Sequence, residues 1–271
     1  MQYAELSSPP DLALYVRRFW QVEDRAVDDA PRLERIVADG CMELVVHLGD
    51  RYARLDARGV AHDQARVLLA GQLEEPLLLR PGRTSAIAAI RFQPWGAAAL
   101  LGIAPRELRG ETPALEALLG AEAERLADAL ACARDVEARF AILISWCRAR
   151  LDASRRVPPV VVAAVQLAER SAGRVRVDEL AARSACERRT LERAFDTWVG
   201  IAPKVLLRVQ RMQRVLAALQ TPQLTSLASL ANHAGFADQA HFTREFRSLV
   251  GLAPSAYLRE THGLQDALLE G

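Results

Sequence analysis

Apolar side chains return at two different spacings along this chain. In residues 1–110 they tend to alternate, the mark of a strand with one buried face; further on they return every three or four positions, the mark of a helix. The clearest alternation is at 41–48, where Met42, Leu44, Val46 and Leu48 share one face and Glu43, Val45 and His47 the other. A turn follows at Gly49-Asp50, and further strands are predicted at 66–73, 76–80 and 85–92. QPWGAAALLG then opens a helix, with Pro94 in its first turn, where a missing N–H leaves no bond unmade. Two more helices are predicted at 113–131 and 134–151. The second carries Val136, Phe140, Leu143, Cys147 and Leu151 on one face, suited to packing on the strands or to a dimer seam.

The C-terminal part writes one pattern twice. VGIAP stands at 199–203 and VGLAP at 250–254. Shifted by this spacing, Leu191 falls on Phe242, Arg193 on Arg244 and Phe195 on Phe246. Such self-similarity signals a duplicated supersecondary unit. Each unit reads as helix, turn, helix. In the first, a short helix at 177–183 and a turn at 184–186 precede a helix at 187–198, with Leu191, Ala194, Phe195 and Trp198 on the buried stripe. In the second, the corresponding pieces are 227–233, Ala234-Gly235-Phe236 and 238–249, capped by Asp238 and buried through Phe242, Phe246 and Leu249. His233 and His241 are read as structural. Gly200 and Gly251 end the second helices and Pro203 and Pro254 bar their continuation. Between the units, 203–220 is one helix with Val205, Val209, Met212, Leu216 and Leu219 on its stripe. Lys204, Arg208, Arg211 and Arg214 lie largely off it, a solvated face able to touch phosphate.

GFADQAHFTREFRSLVGLAPSAYLR and ELAARSACERRTLERAF…VGIAP resemble the two helix-turn-helix signatures of the AraC/XylS family of transcription regulators, over about 158–260. The resemblance implies that the outer faces of the two second helices enter adjacent major grooves of double-stranded promoter or operator DNA. Carried over by position, the DNA-contacting candidates are Arg188, Arg189, Glu192 and Arg193, then Gln239, Ala240, Thr243 and Arg244, with Arg247 on the same outer face. Arg suits guanine O6 and N7, and Gln suits adenine N6 and N7; Arg193 and Arg244 serve phosphate equally well. Two positions depart from the family pattern. Glu187 replaces a Ser cap and Ala240 replaces a Ser reader.

ADGCMELVVHLGD, RFQPWGAAALLGI and Phe19-Trp20 resemble the small β-barrel sensor domain that precedes many AraC-type modules. The expected architecture is therefore two-part: an N-terminal α+β unit, cupin-like small barrel then helices, over 1–153; an all-α DNA-binding unit over 154–262; and a tail at 263–271. RRVPP, 155–159, reads as the linker. The resemblance implies an effector pocket, with Trp20, Glu43, His47, Gln72, Arg91 and Trp95 as candidates. RNA polymerase, a small-molecule effector and a second copy of the chain are the further candidate partners.

Composition adds charge asymmetry. The chain has 271 residues and a net charge of +1. Residues 155–262 hold 16 Lys+Arg against 9 Asp+Glu, whereas 1–154 hold 19 against 23. A basic half beside an acidic one fits a polyanion partner. The N-terminus lacks the long apolar core of a signal peptide, and the most apolar run is interrupted by Arg91, Gln93 and Pro94, so no membrane span and a cytoplasmic protein are expected. Cys41, Cys132, Cys147 and Cys186 form no metal or disulfide pattern. Glu43 and His47 stand about 13 Å apart along a strand, too far to share an ion, so neither metal nor cofactor is expected.

The rival reading is an enzyme that uses the same module for delivery, of the DNA-repair alkyl-acceptor type. It needs an activated cysteine, and Cys41 has no cysteine or histidine beside it. A small-molecule enzyme in the first half finds no Ser-His-Asp, paired-carboxylate or phosphate-loop pattern.

Overall fold

The computed structural model describes residues 1–25, 33–219, 231, 235–236, 238–260 and 264–265. The expected helix 227–233 and turn residue Ala234, with His233, lie outside these except for Ala231, as does the tail except for Leu264 and Gln265.

Among the described residues nine strands come first: β1 Gln2–Ser7, β2 Val16–Arg25, β3 Glu34–Ile36, β4 Glu43–His47, β5 Ala53–Leu55, β6 Ala61–Asp63, β7 Val67–Ala70, β8 Leu77–Arg80 and β9 Thr84–Phe92. They pair antiparallel in two sheets, β1-β2-β9-β4-β7 and β3-β8-β5-β6. The small barrel expected for this part is thus two open sheets facing one another rather than a closed ring. The alternation read at 41–48 decides what lies on each side of the larger sheet. Met42, Leu44 and Val46 join Phe19, Ile90 and Phe92 in a core completed by helices. Their alternates point instead toward the smaller sheet, where Trp20, Val22, Ile87 and Ala89 meet Leu77 and Leu79.

The helices behind the larger sheet are α1 Gly96–Leu101, α2 Glu116–Leu119, α3 Glu122–Ala131 and α4 Val136–Arg148. The single helix expected at 113–131 is split because Gly120, at φ +60°, ends its first turn. Asp135 caps α4 by accepting from Ala138 N, as its short carboxylate at a helix start allows. Phe140, Leu143 and Cys147 bury α4 against the sheet.

Among the described residues six helices follow: α5 Pro159–Arg170, α6 Val177–Arg183, α7 Arg188–Trp198, α8 Pro203–Leu219, α9 Gln239–Val250 and α10 Pro254–Tyr257. Among the described residues no helix is long and apolar enough to cross a membrane. The junction RRVPP is packed rather than a free linker. Arg155 N donates to Ala99 O at 2.9 Å, its guanidinium lies 4.5 Å over the Trp198 ring, and Val157 is buried. One apolar cluster joins Trp95, Ala98 and Ala99 to Leu180, Leu191, Phe195 and Leu206. The two halves therefore share core.

Candidate nucleic-acid interface and adjoining pocket

Leu191, Phe195 and Trp198 bury one side of α7, which leaves Arg188, Arg189, Glu192 and Arg193 exposed on the other. Phe242, Phe246 and Leu249 do the same for α9, leaving Gln239, Ala240, Arg244 and Arg247 exposed and Thr243 half-buried. The helix starts differ as their sequences imply. The Asp238 side chain accepts from His241 N; that backbone donor holds its carboxyl below the usual carboxylate range. Glu187, at the same place before α7, makes no side-chain cap.

Several of these side chains are engaged within the protein. Arg188 donates to Glu192 at 2.9 Å and to Asp178 at 3.3 Å, and the bond to Glu192 raises its guanidinium's pKa further. Thr243 Oγ1 donates back to Gln239 O at 2.8 Å, so its hydroxyl hydrogen is spent on its own helix. On α8, Arg208 donates to Glu245 at 2.7 Å and Arg211 lies 5.6 Å over the Phe236 ring. Both arginines are thus engaged within the second unit. Lys204 remains exposed.

The second feature is a cleft between the two sheets. Four of the expected pocket residues line it: Trp20, Glu43, His47 and Arg91. Pairing of β4 with β9 places Glu43 opposite Arg91 and His47 opposite Ile87. Arg91 makes an ion pair with Asp39 and stands 3.6 Å from Glu43. Burial pushes the Glu43 carboxyl up to about 7, holds the His47 imidazole down to about 4 and lowers Arg91 to about 9. Burial also raises the Cys41 thiol, the opposite of what a thiolate nucleophile needs.

Two expected pocket residues do not line the cleft. Gln72 is fully buried, with Nε2 donating to Gly40 O at 2.9 Å; it braces a loop. Trp95 donates from Nε1 to Leu14 O at 2.8 Å and belongs to the core shared with α7. Both lie just past strand ends, where alternation stops predicting direction.

Sequence reasoning missed what closes the cleft. Gln213 of α8, with Leu264 and Gln265 of the tail, completes its lining. Gln213 Nε2 donates to Ala38 O at 2.6 Å, Val37 N donates to Gln265 Oε1 at 2.8 Å, and Leu264 N donates to Glu34 at 2.9 Å. Val37 and Ala38 are themselves part of the apolar core formed by α8 and α9. A tail of ordinary composition carries no local signal for such a role.

The repeated stop motifs are also contact points. A Cβ placed on Gly200 would stand 2.7 Å from Pro105 Cβ, and one on Gly251 would stand 2.9 Å from both Pro76 Cγ and an Arg35 NH1. Both glycines have φ above +80° or at it, so each serves the turn and the close approach together. Arg109 Nε donates to Gly200 O at 2.9 Å, and Arg35 donates to Val250 O at 3.3 Å. The N-terminal half thus grips both units at the ends of α7 and α9.

Residues 180–260 match the family model described as a helix-turn-helix domain. The C-terminal part is an AraC-type helix-turn-helix domain. Residues 4–113 match a model described as a domain of unknown function (DUF6597). The AraC-type domain supplies the DNA-binding module of a transcription regulator. No curated protein matches the chain. Among solved structures, ToxT from Vibrio cholerae is 13% identical, with 89% of this chain and 97% of that chain covered and a TM-score of 0.49. An unsaturated fatty acid bound ToxT from strain SCE256 is 14% identical over 90% and 96%, with a TM-score of 0.49. An AraC-type regulator from Chromobacterium violaceum is 25% identical over 38% of this chain and 94% of that one, with a TM-score of 0.35.

Proposed function

We propose that the chain is a sequence-specific DNA-binding transcription regulator whose N-terminal half takes up a small-molecule effector and thereby sets the placement of α7 and α9. In this reading Arg188, Arg189, Glu192 and Arg193 work at one subsite, and Gln239, Ala240, Thr243, Arg244 and Arg247 at the next. The observation that carries the effector control is the closure of the cleft by Gln213, Leu264 and Gln265. Any molecule entering there touches the helix that spaces the two reading units. A second route runs through the loop between β7 and β8. Its Leu73 lines the cleft, its Pro76 meets Gly251, and its Glu74 lies 3.5 Å from the Arg109 that holds Gly200.

Selection of DNA from a random pool, with and without small-molecule extract, tests this. The expected result is a bipartite site with halves about one helical turn, ~34 Å, apart, with affinity that changes on effector binding. Sequence-blind binding, or an effector that binds without altering DNA affinity, would refute the respective part. Assembly as a homodimer and contact with RNA polymerase belong to the same proposal and are tested by sedimentation and by transcription with purified polymerase.

A further inference from the structure

The cleft constrains the chemistry of its occupant, on the reading that it is an effector site. Strand register lays out its floor in rows. Arg91 faces Glu43; the next row sets Ala89 between Trp20 and Val45; the row beyond sets Ile87 beside His47. The floor therefore runs from a charged end, over an aromatic and apolar middle, to an imidazole end about 13 Å away along β4. Leu77 and Leu79 of the facing sheet and Leu68 make most of the remaining surface apolar.

Charge balance comes next. Arg91 is the only Arg or Lys among the described lining residues, and it already faces two carboxylates, Asp39 and Glu43. Neighbouring Arg17 and Arg18 are held by Glu169 and Glu5. A ligand anion would find its single cation shared by two acids. A ligand cation would have to share Glu43 with Arg91, and burial already holds that carboxyl partly protonated near neutral pH. Burying a charge without a dedicated counter-ion is strongly unfavourable.

Unmet polar atoms remain in the same place. Trp20 Nε1, Glu43 Oε1, both ring nitrogens of His47 and Arg91 Nη1 make no hydrogen bond of good geometry among the described residues, although Trp20 lies near enough to Glu43, and Gln64 near enough to His47, to shift their titration. Trp20 and His47 are each 2% exposed and Arg91 8%. Buried polar atoms are nearly always satisfied, so this set describes a complement: an acceptor for the Trp20 and Arg91 N–H groups, and a donor for Glu43.

We infer that the cleft binds an uncharged, mainly apolar small molecule bearing a head that both accepts and donates, of the carboxamide or lactam kind. Its oxygen takes the Trp20 or Arg91 hydrogen, its N–H turns to Glu43, and its body lies between Val45, Leu77 and Leu79.

Three probes share one body and differ in charge: phenylacetamide, phenylacetate and phenethylamine. Calorimetric titration into the full chain at neutral pH should find the amide at least about tenfold tighter than either ion. Leu79→Trp fills the space between the sheets and should abolish amide binding. Should that variant not fold, Trp20→Phe removes the indole N–H together with part of the ring that floors the cleft, and should weaken it several-fold. Glu43→Gln removes one of the two acids that share Arg91 and should narrow the amide's advantage over phenylacetate. Tighter binding of either ion, equal binding of all three, or no binding of the amide overturns the inference. The same preparations are assayed for DNA binding. Intact DNA binding without amide binding sinks the ligand class alone. Amide binding that leaves DNA affinity unmoved sinks the effector control and leaves the ligand class standing.

Discussion

Arg109 donates to the carbonyl of Gly200 at 2.9 Å, and so ties the first half of the chain to the turn that ends α7. The contact works because Gly200 has no side chain: Pro105 occupies the place where a Cβ would be. Arg35 and Pro76 stand in the same relation to the second copy of the motif, with the accepting carbonyl one position earlier, at Val250.

Gly200→Ala should separate this contact. The new methyl group would press on Pro105 backbone and force a left-handed conformation on alanine, costing about 1–3 kcal/mol. Calorimetry should show the loss, and limited proteolysis should show faster cleavage between the halves. Arg109→Ala keeps the turn and removes only the bond. It should leave the reading faces intact while reducing the response of DNA affinity to effector.

The reading helices make separable predictions. Arg193→Ala and Arg244→Ala, if these side chains read bases, should each relax preference at one subsite, at about 1–3 kcal/mol per lost pair. Uniform weakening across all sequences, with a shallower dependence on salt, would assign them to phosphate. Footprints on a randomised site distinguish the two outcomes.

Glu187→Ser should strengthen the start of α7, which lacks the side-chain cap that Asp238 provides for α9. A gain of about 0.5–1 kcal/mol in stability is expected, together with tighter DNA binding, since an acid leaves the neighbourhood of the phosphates. Asp238→Ala should act in the reverse sense on α9. Chemical denaturation followed by circular dichroism measures both.

Stability should bend with pH in a way set by the cleft. Glu43 is raised from 4.5 to about 7, so the folded chain takes up a proton there, and stability falls as pH rises from 4.5 through about 7. His47 is lowered from 6.5 to about 4, so the folded chain releases one, and stability rises with pH over that window. The two slopes oppose each other up to 6.5, and only the decline due to Glu43 continues to about 7. Glu43→Gln should remove that decline and raise the melting temperature above neutral pH relative to the parent chain. An unchanged pH profile in this variant would contradict the assignment.

Local pattern made much of this molecule legible before any coordinates. Alternation assigned Met42, Leu44 and Val46 to one side of β4 and Glu43, Val45 and His47 to the other, because successive strand residues point to opposite faces. Helical spacing and the repeated VG(I/L)AP stops located α7, α8 and α9, because helix periodicity and capping are properties of a few neighbouring residues; the buried face of α8 is wider than its stripe, taking in Leu206, Leu207 and Val215 while Val205 and Leu219 are only partly buried. Only the tertiary structure decided that the strands form two open sheets, that Trp95 and Gln72 brace the fold instead of lining the cleft, and that Gln213, Leu264 and Gln265 close it. Those outcomes depend on which surfaces meet across long stretches of chain, and no spacing within a short window encodes them. The stop motifs show both levels at once: their glycines declare a helix end in the sequence, while their second use, as the bare places where Pro105 and Pro76 rest, exists only once the halves have packed.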